Sequence, residues 1–458
     1  MRYLRIVTTV AAVVGCAAAF VPASMGASSK SDSNDYIREP MPPGFQVIMS
    51  ELEGPVFADA TGHTLYNWPH KAIRNNTSGE SEGEIACYDT PTKYAVGFTS
   101  PYPGGSELPD PNNRPTCTQH WPPVLAAADA KPVGNWTLLT RKDGKKQWAY
   151  KQQALYTSHL DTQARETNGG TDGRKGRDLQ SNGAPREPVG PAPAIPPQFA
   201  VAPMNQGQML VTLKGWSVYT YDRDTAIKSN CVASCLEEWQ PIMAPDSAVM
   251  LGDWSVVNRG GTKQWAFRGK PLYTRTVDPK ERSYEGGDVP GWHNVFLQRR
   301  PAPPKGFHLV DTVAGQVIAD PHGKTIYFYQ CNEDTADTLF CDAPDSPQVY
   351  RWAVCGGGDV DRCNKTFPYV IAEKDAKSDS ISWRTRDIDP KSGRYVAANT
   401  PGSLHIWAFR GRPIYTFAGD KEEGDIGADS WGQDHGDRNG FNAFWMRDDY
   451  KGNDGPHG

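Results

Sequence analysis

Apolar and polar positions in this chain alternate in short bursts separated by turn residues. Met209-Leu210-Val211-Thr212-Leu213 runs into Lys214-Gly215, and Trp216 to Tyr221 then resumes the apolar pattern. Two such runs around a Gly turn predict a β-hairpin. In the second run Val218 and Thr220 alternate with Tyr219 and Tyr221, so both tyrosines share one face of the strand. Val56-Phe57-Ala58-Asp59 and Val317-Ile318-Ala319-Asp320 precede Gly62 and Gly323 in the same manner. A second hairpin is predicted from Gln264 to Phe267, a turn at Arg268-Gly269-Lys270, and Leu272-Tyr273-Thr274. The helical signal is a short turn around Val232 to Glu238, clamped by neighbouring cysteines. The pattern predicts an all-β chain of hairpin-rich modules with few short helical turns.

The pattern also recurs. Gln147-Trp148-Ala149-Tyr150, Gln264-Trp265-Ala266-Phe267 and Ile406-Trp407-Ala408-Phe409 lead to Tyr156, Tyr273 and Tyr415, each eight residues beyond its Trp. Asp161, Asp278 and Asp420 follow five residues later. Upstream, Cys117 precedes Trp121, Cys235 precedes Trp239 and Cys363 precedes Phe367, all at one spacing. Such self-similarity marks three tandem modules of one ancestry. We place them at 43–195, 196–303 and 304–450, with insertions at about 71–116 and 331–355. Within module two, Tyr219 to Asp224 has the spacing of Tyr273 to Asp278, so each module divides into two half-repeats.

Leu/Val-Tyr, paired aromatics, Cys followed by Trp-x-Pro, Gln-Trp-Ala and Leu-Tyr-x4-Asp occur in that order. With them the chain resembles the bacterial secreted-repeat lipoproteins, which are described by a Tyr-x-aromatic-x-x-Asp motif. Tyr219, Tyr221 and Asp224 match that motif in full. Module one departs with Lys71 in the Asp position, and module three departs with Asn332. The resemblance implies an envelope location. It implies no reaction, because that family is one of unknown function.

Composition sharpens the picture in three places. The 45 Gly and 38 Pro favour turns and short strands over long helices. The net charge of −5, without a basic block, lacks the electrostatic footprint of nucleic-acid binding. Residues 1–27 read as a signal peptide, with Arg2 and Arg5 ahead of an apolar run from Ile6 to Ala19. Val13-Val14-Gly15-Cys16 resembles a lipobox that would leave Cys16 lipidated and give the chain its membrane anchor. The alternative is a Cys discarded with the leader. Eight cysteines remain, which in an exported chain predicts a disulfide framework. Repeat register pairs Cys87 with Cys117 and Cys231 with Cys235, while Cys331, Cys341, Cys355 and Cys363 admit three pairings.

Candidate chemistry falls on the Tyr and Asp positions. Tyr219, Tyr221 and Asp224, with Tyr156, Asp161, Tyr273, Asp278, Tyr415 and Asp420, offer phenols and carboxylates at strand ends as a ligand site. The plainer reading has each Asp closing a turn while its Tyr packs on the Trp layer. Repeated tryptophans read as core, whereas Trp292, Trp352, Trp431 and Trp445 fall outside the register and are candidates for exposed contact. The acidic, Gly-rich stretch 419–440 offers oxygen ligands for calcium at Asp425, Asp429, Asp434 and Asp437. No catalytic residue is marked, since His-Glu-x-x-His, Gly-x-Ser-x-Gly and Cys-x-x-Cys-His are all missing from the sequence. The expectation is an exported envelope protein acting as a non-enzymatic binding or structural scaffold for an envelope partner or extracellular ligand. The alternatives are a metal or redox accessory or enzyme, with its site in the module-specific insertions, and a carbohydrate-binding protein.

Overall fold

A computed structural model describes residues 36–68, 80–89, 116–170, 187–331, 344, 348–433 and 439–448. The leader with Cys16, most of both insertions, Lys71, Asn332, Cys341, Asp434 and Asp437 lie outside the described residues.

The fold is all-β, and every sheet is antiparallel and drawn from one repeat segment. The Gly215 hairpin forms as predicted. The Thr212 amide donates to Trp216 O at 2.8 Å, and Gly215 sits at φ +85°, a conformation that a side chain would strain. Beyond it the structure departs from a simple hairpin. Strand Gly207–Thr212 is already flanked by Phe199–Met204 and Phe296–Arg299. With both of its edges occupied, strand Tyr219–Tyr221 enters another sheet, between Tyr273–Arg275 and Trp292–Asn294. The second hairpin turns at Arg268 and Gly269, φ 48° and 73°, the two positive angles of a type I′ turn. Lys151–Gln152 and Arg410–Gly411 repeat those angles.

Hydrogen bonds fix the same register in all three segments. The amides of Phe57, Leu210 and Ile318 donate to the carbonyls of Val189, Val295 and Phe444, near the end of each repeat. Trp136, Trp254 and Trp383 are fully buried among aromatic partners. In the first two repeats the Gln of the Gln-Trp-Ala phrase is structural. Gln147 and Gln264 each donate a side-chain N–H to the carbonyl of the Leu eight residues on, both at 2.9 Å.

The disulfides Cys87–Cys117 and Cys231–Cys235 follow the register, and Cys355 pairs with Cys363 in the third repeat. Cys331 is disulfide-bonded as well. Each cysteine before an aromatic starts or lies in a short helix, Cys117–His120, Cys235–Glu238 or Val360–Thr366. The third repeat adds helix Val349–Gly356, which the alternation did not predict. Its boundary signals are local. Gly357 ends it at φ 61°, and the Asp359 side chain caps the next helix by accepting from the Arg362 amide. Among the described residues no helix is long and apolar enough to cross a membrane. The described residues belong to one compact unit.

Candidate functional site

The two half-repeats of repeat two meet at Tyr219 and Tyr273, which are opposite each other in an antiparallel pair. Each phenol therefore reaches toward the point where the other strand ends. Tyr219 Oη donates to Asp278 Oδ2 and Tyr273 Oη donates to Asp224 Oδ2, both at 2.7 Å. The bonded pairs are crossed: neither tyrosine serves the aspartate five residues beyond it. Asp224 also closes its own loop, its Oδ1 accepting from the Asn230 amide at 2.6 Å.

The crossing recurs. Tyr66 Oη donates to Asp161 at 2.7 Å and Tyr327 Oη to Asp420 at 2.6 Å. The remaining carboxylate oxygen takes the amide seven residues on, from Asn168 to Asp161 at 2.8 Å and from Gly427 to Asp420 at 2.9 Å. In repeat one the reciprocal partner of Tyr156 is Glu80, whose Oε1 accepts at 2.5 Å. Glu80 also holds the Ala86 amide at 2.9 Å. Nothing in the sequence pattern marks Glu80, which is supplied by the insertion. Tyr415 lies opposite Tyr327 and packs edge-on against Phe441. Tyr221 is not a partner in the crossed pairs; it stacks on Trp292, which stacks in turn on Trp239.

Burial dominates the electrostatics. It pushes the Asp161 carboxyl up to about 8, against the opposing effect of its bonds from Tyr66 and Asn168. Asp278 rises to about 6 for the same reason, and Asp420 is raised as well. Tyr273 is pushed up to about 12, and Tyr66, Tyr219 and Tyr327 are raised further by burial and their Asp partners. A buried carboxyl near 8 holds its proton at neutral pH. The arrangement can fix two chain segments to each other, and both of its polar ends are turned inward.

Arg141 and Arg259 extend the set and were not marked by the sequence. Arg141 donates to Gln147 Oε1 at 2.6 Å and to Cys87 O at 3.1 Å. Arg259 donates to Ser229 and to Cys231 O, and Ser229 meets the Tyr273 hydroxyl. Each guanidinium thus ties a disulfide loop to the second half-repeat.

Two expected contact residues are corrected. Trp292 and Trp445 are buried: Trp292 lies in the stack just described, and the Trp445 indole N–H donates to Asp429 Oδ1 at 3.1 Å. Trp352 is half-buried, and Trp431 is 43% exposed. Asp425 accepts from the Lys421 and Glu422 amides, and Asp429 accepts from the Ala443 amide. These two carboxylates face different donors. Among the described residues no group of His, Cys, Asp or Glu is assembled to hold a metal.

Comparison with known proteins bears on one segment. Residues 201–243 match a secreted repeat of unknown function, the Lipoprotein_15 family model. The matched segment contains strand Tyr219–Tyr221, Asp224 and the Cys231–Cys235 disulfide, the first half of repeat two. No curated protein and no solved structure matches the chain.

Proposed function

We propose that this chain is an exported cell-envelope protein acting as a non-enzymatic structural scaffold. The carrying observation is the fate of its most constant residues. In three repeats Asp161, Asp278 and Asp420 are buried and each accepts from a Tyr of the opposite half-repeat, and Tyr273 donates to the buried Asp224 in the same way. A ligand would have to break those bonds to reach them, at a cost of about 1–3 kcal/mol for each buried group left unpaired. The secreted-repeat match and the signal-like residues 1–27 support export.

The test combines fractionation of producing cells with mass spectrometry of the mature N-terminus. The expected result is an exported, envelope-retained chain that starts near residue 27 or carries lipid on Cys16. A chain recovered with Met1 in the cytosol contradicts export. A Tyr219→Phe chain, held below its melting temperature, should keep wild-type retention. Lost retention in a folded variant would place Tyr219 in a binding site and overturn the scaffold reading.

A further inference from the structure

The disulfides of this chain differ in how far solvent reaches them. Cys87, Cys117, Cys331, Cys355 and Cys363 are buried. Cys231 is buried as well, but its partner Cys235 is half-buried, and Val232, Ala233 and Ser234 between them are exposed. Among the described residues Cys235 is the one cysteine that is not buried. A thiolate can exchange with a disulfide only by reaching one of its sulfurs, and Cys235 gives the best access.

The backbone inside that bridge is strained. Ala233 holds φ 52°, in the left-handed region, where its Cβ crowds the following carbonyl. Local turns keep it there: the amides of Cys235 and Leu236 donate to the carbonyls of Val232 and Ala233 at 3.1 and 3.0 Å. The bridge also spans the shortest loop. Its cysteines are four residues apart, against 30 for Cys87–Cys117 and eight for Cys355–Cys363, so it restrains the unfolded chain least. Exposed or strained disulfides are the more easily reduced ones.

Both ends of the bridged segment are anchored without the disulfide. Before it, Arg259 donates to Cys231 O. After it, Glu238 pairs with Arg275 at 2.6 Å, and its carbonyl accepts from the Thr276 amide at 2.9 Å. Opening the bridge therefore frees 232–237 and leaves these anchors in place.

We propose that Cys231–Cys235 is a reversible thiol-exchange site for low-molecular-weight thiols, whereas the buried bridges are structural. The thiolate of a thiol RSH attacks Cys235 Sγ, the Cys231–Cys235 bond breaks, and Cys231 leaves as a thiolate that takes up a proton. A second RSH attacks the mixed disulfide, releasing RSSR and the Cys235 thiol. Two thiols are oxidised to one disulfide, and the cysteine pair gains two electrons and two protons. RSSR closes the pair by the reverse steps. Relief of the Ala233 backbone favours the open form. The inference stands apart from the scaffold reading, since Tyr219–Asp278 and Tyr273–Asp224 include no atom of the bridge.

The test equilibrates the folded, oxidised chain in graded mixtures of reduced and oxidised dithiothreitol, alkylates it, and maps the cysteines by peptide mass spectrometry. Cys231 and Cys235 should be alkylated together while Cys87, Cys117, Cys355 and Cys363 stay bonded. The separation should be at least about tenfold in equilibrium constant, about 30 mV for this two-electron couple. Raising the oxidised fraction should close the pair again, and tryptophan fluorescence should show a folded chain throughout. Reduction of Cys87–Cys117 or Cys355–Cys363 at the same or a milder ratio overturns the proposal. So does a Cys231–Cys235 pair that opens only as the chain unfolds.

Discussion

Repeats one and two solve the same joining problem with different residues. Repeat two joins its halves with two motif pairs, Tyr219–Asp278 and Tyr273–Asp224. Repeat one keeps the first as Tyr66–Asp161 but replaces the second acceptor with Glu80, from 76 residues upstream of Tyr156. The second-half Asp is the same in all three repeats because it has an exacting position. In repeats one and three it must reach a phenol on the opposite strand and an amide seven residues on. The first-half position needs only an acceptor near a strand end, and a longer Glu from an insertion meets that need.

The comparison predicts its largest effect with pH. Asp161 titrates near 3.9 when unfolded and about 8 when folded. The folded state therefore binds the extra proton between those values. Its stabilising contribution is full below about pH 4 and is lost as pH rises toward 8, at a limiting slope of about 1.4 kcal/mol per unit. For Asp278 the loss ends near pH 6. Urea unfolding at pH 5, 6.5 and 8 should show falling stability in the wild type. Asp161→Asn should remove most of the fall above pH 6, and Asp278→Asn only the part below it. A wild type equally stable at pH 6.5 and 8 breaks the distinction between the repeats.

Truncation comes next. Asp161→Ala leaves the Tyr66 hydroxyl and the Asn168 amide without their acceptor and should cost about 3 kcal/mol in urea unfolding. Asp161→Asn should recover part of that loss. A cost under about 0.5 kcal/mol for the Ala variant would mean that the pair does not hold the halves together.

The smallest effect separates the two tyrosines of repeat two. Tyr219→Phe removes the hydroxyl that donates to the buried Asp278, leaving only Arg275 Nη1 3.8 Å from its other carboxylate oxygen, and should cost about 2 kcal/mol. Tyr273→Phe should cost about 1 kcal/mol, because Asp224 retains the Asn230 amide. Equal melting temperatures for the two variants would remove the asymmetry.

Much of the fold was legible because it depends on short-range chemistry. The Gly215 turn, the Arg268-Gly269 turn, Cys87–Cys117 and Cys231–Cys235 all follow from spacing within a repeat. The crossed pairing did not, because spacing alone joins Tyr156 to Asp161 whereas the structure joins Asp161 to Tyr66, 95 residues away. Glu80 was hidden for the same reason, lying in a segment without counterparts. Trp292 looked exposed because it had no repeat register, yet Tyr221 and Trp239 enclose it. Helix Val349–Gly356 escaped because its residues show no strand alternation and no module equivalent.

The central claim is that the repeated Tyr and Asp bond to each other across the half-repeats. A double-mutant cycle of Tyr219→Phe and Asp278→Asn, read by urea unfolding at pH 7, tests it most directly. The account predicts a coupling of about 1–2 kcal/mol, with the double variant losing less than the sum of the singles. Strictly additive losses would contradict it.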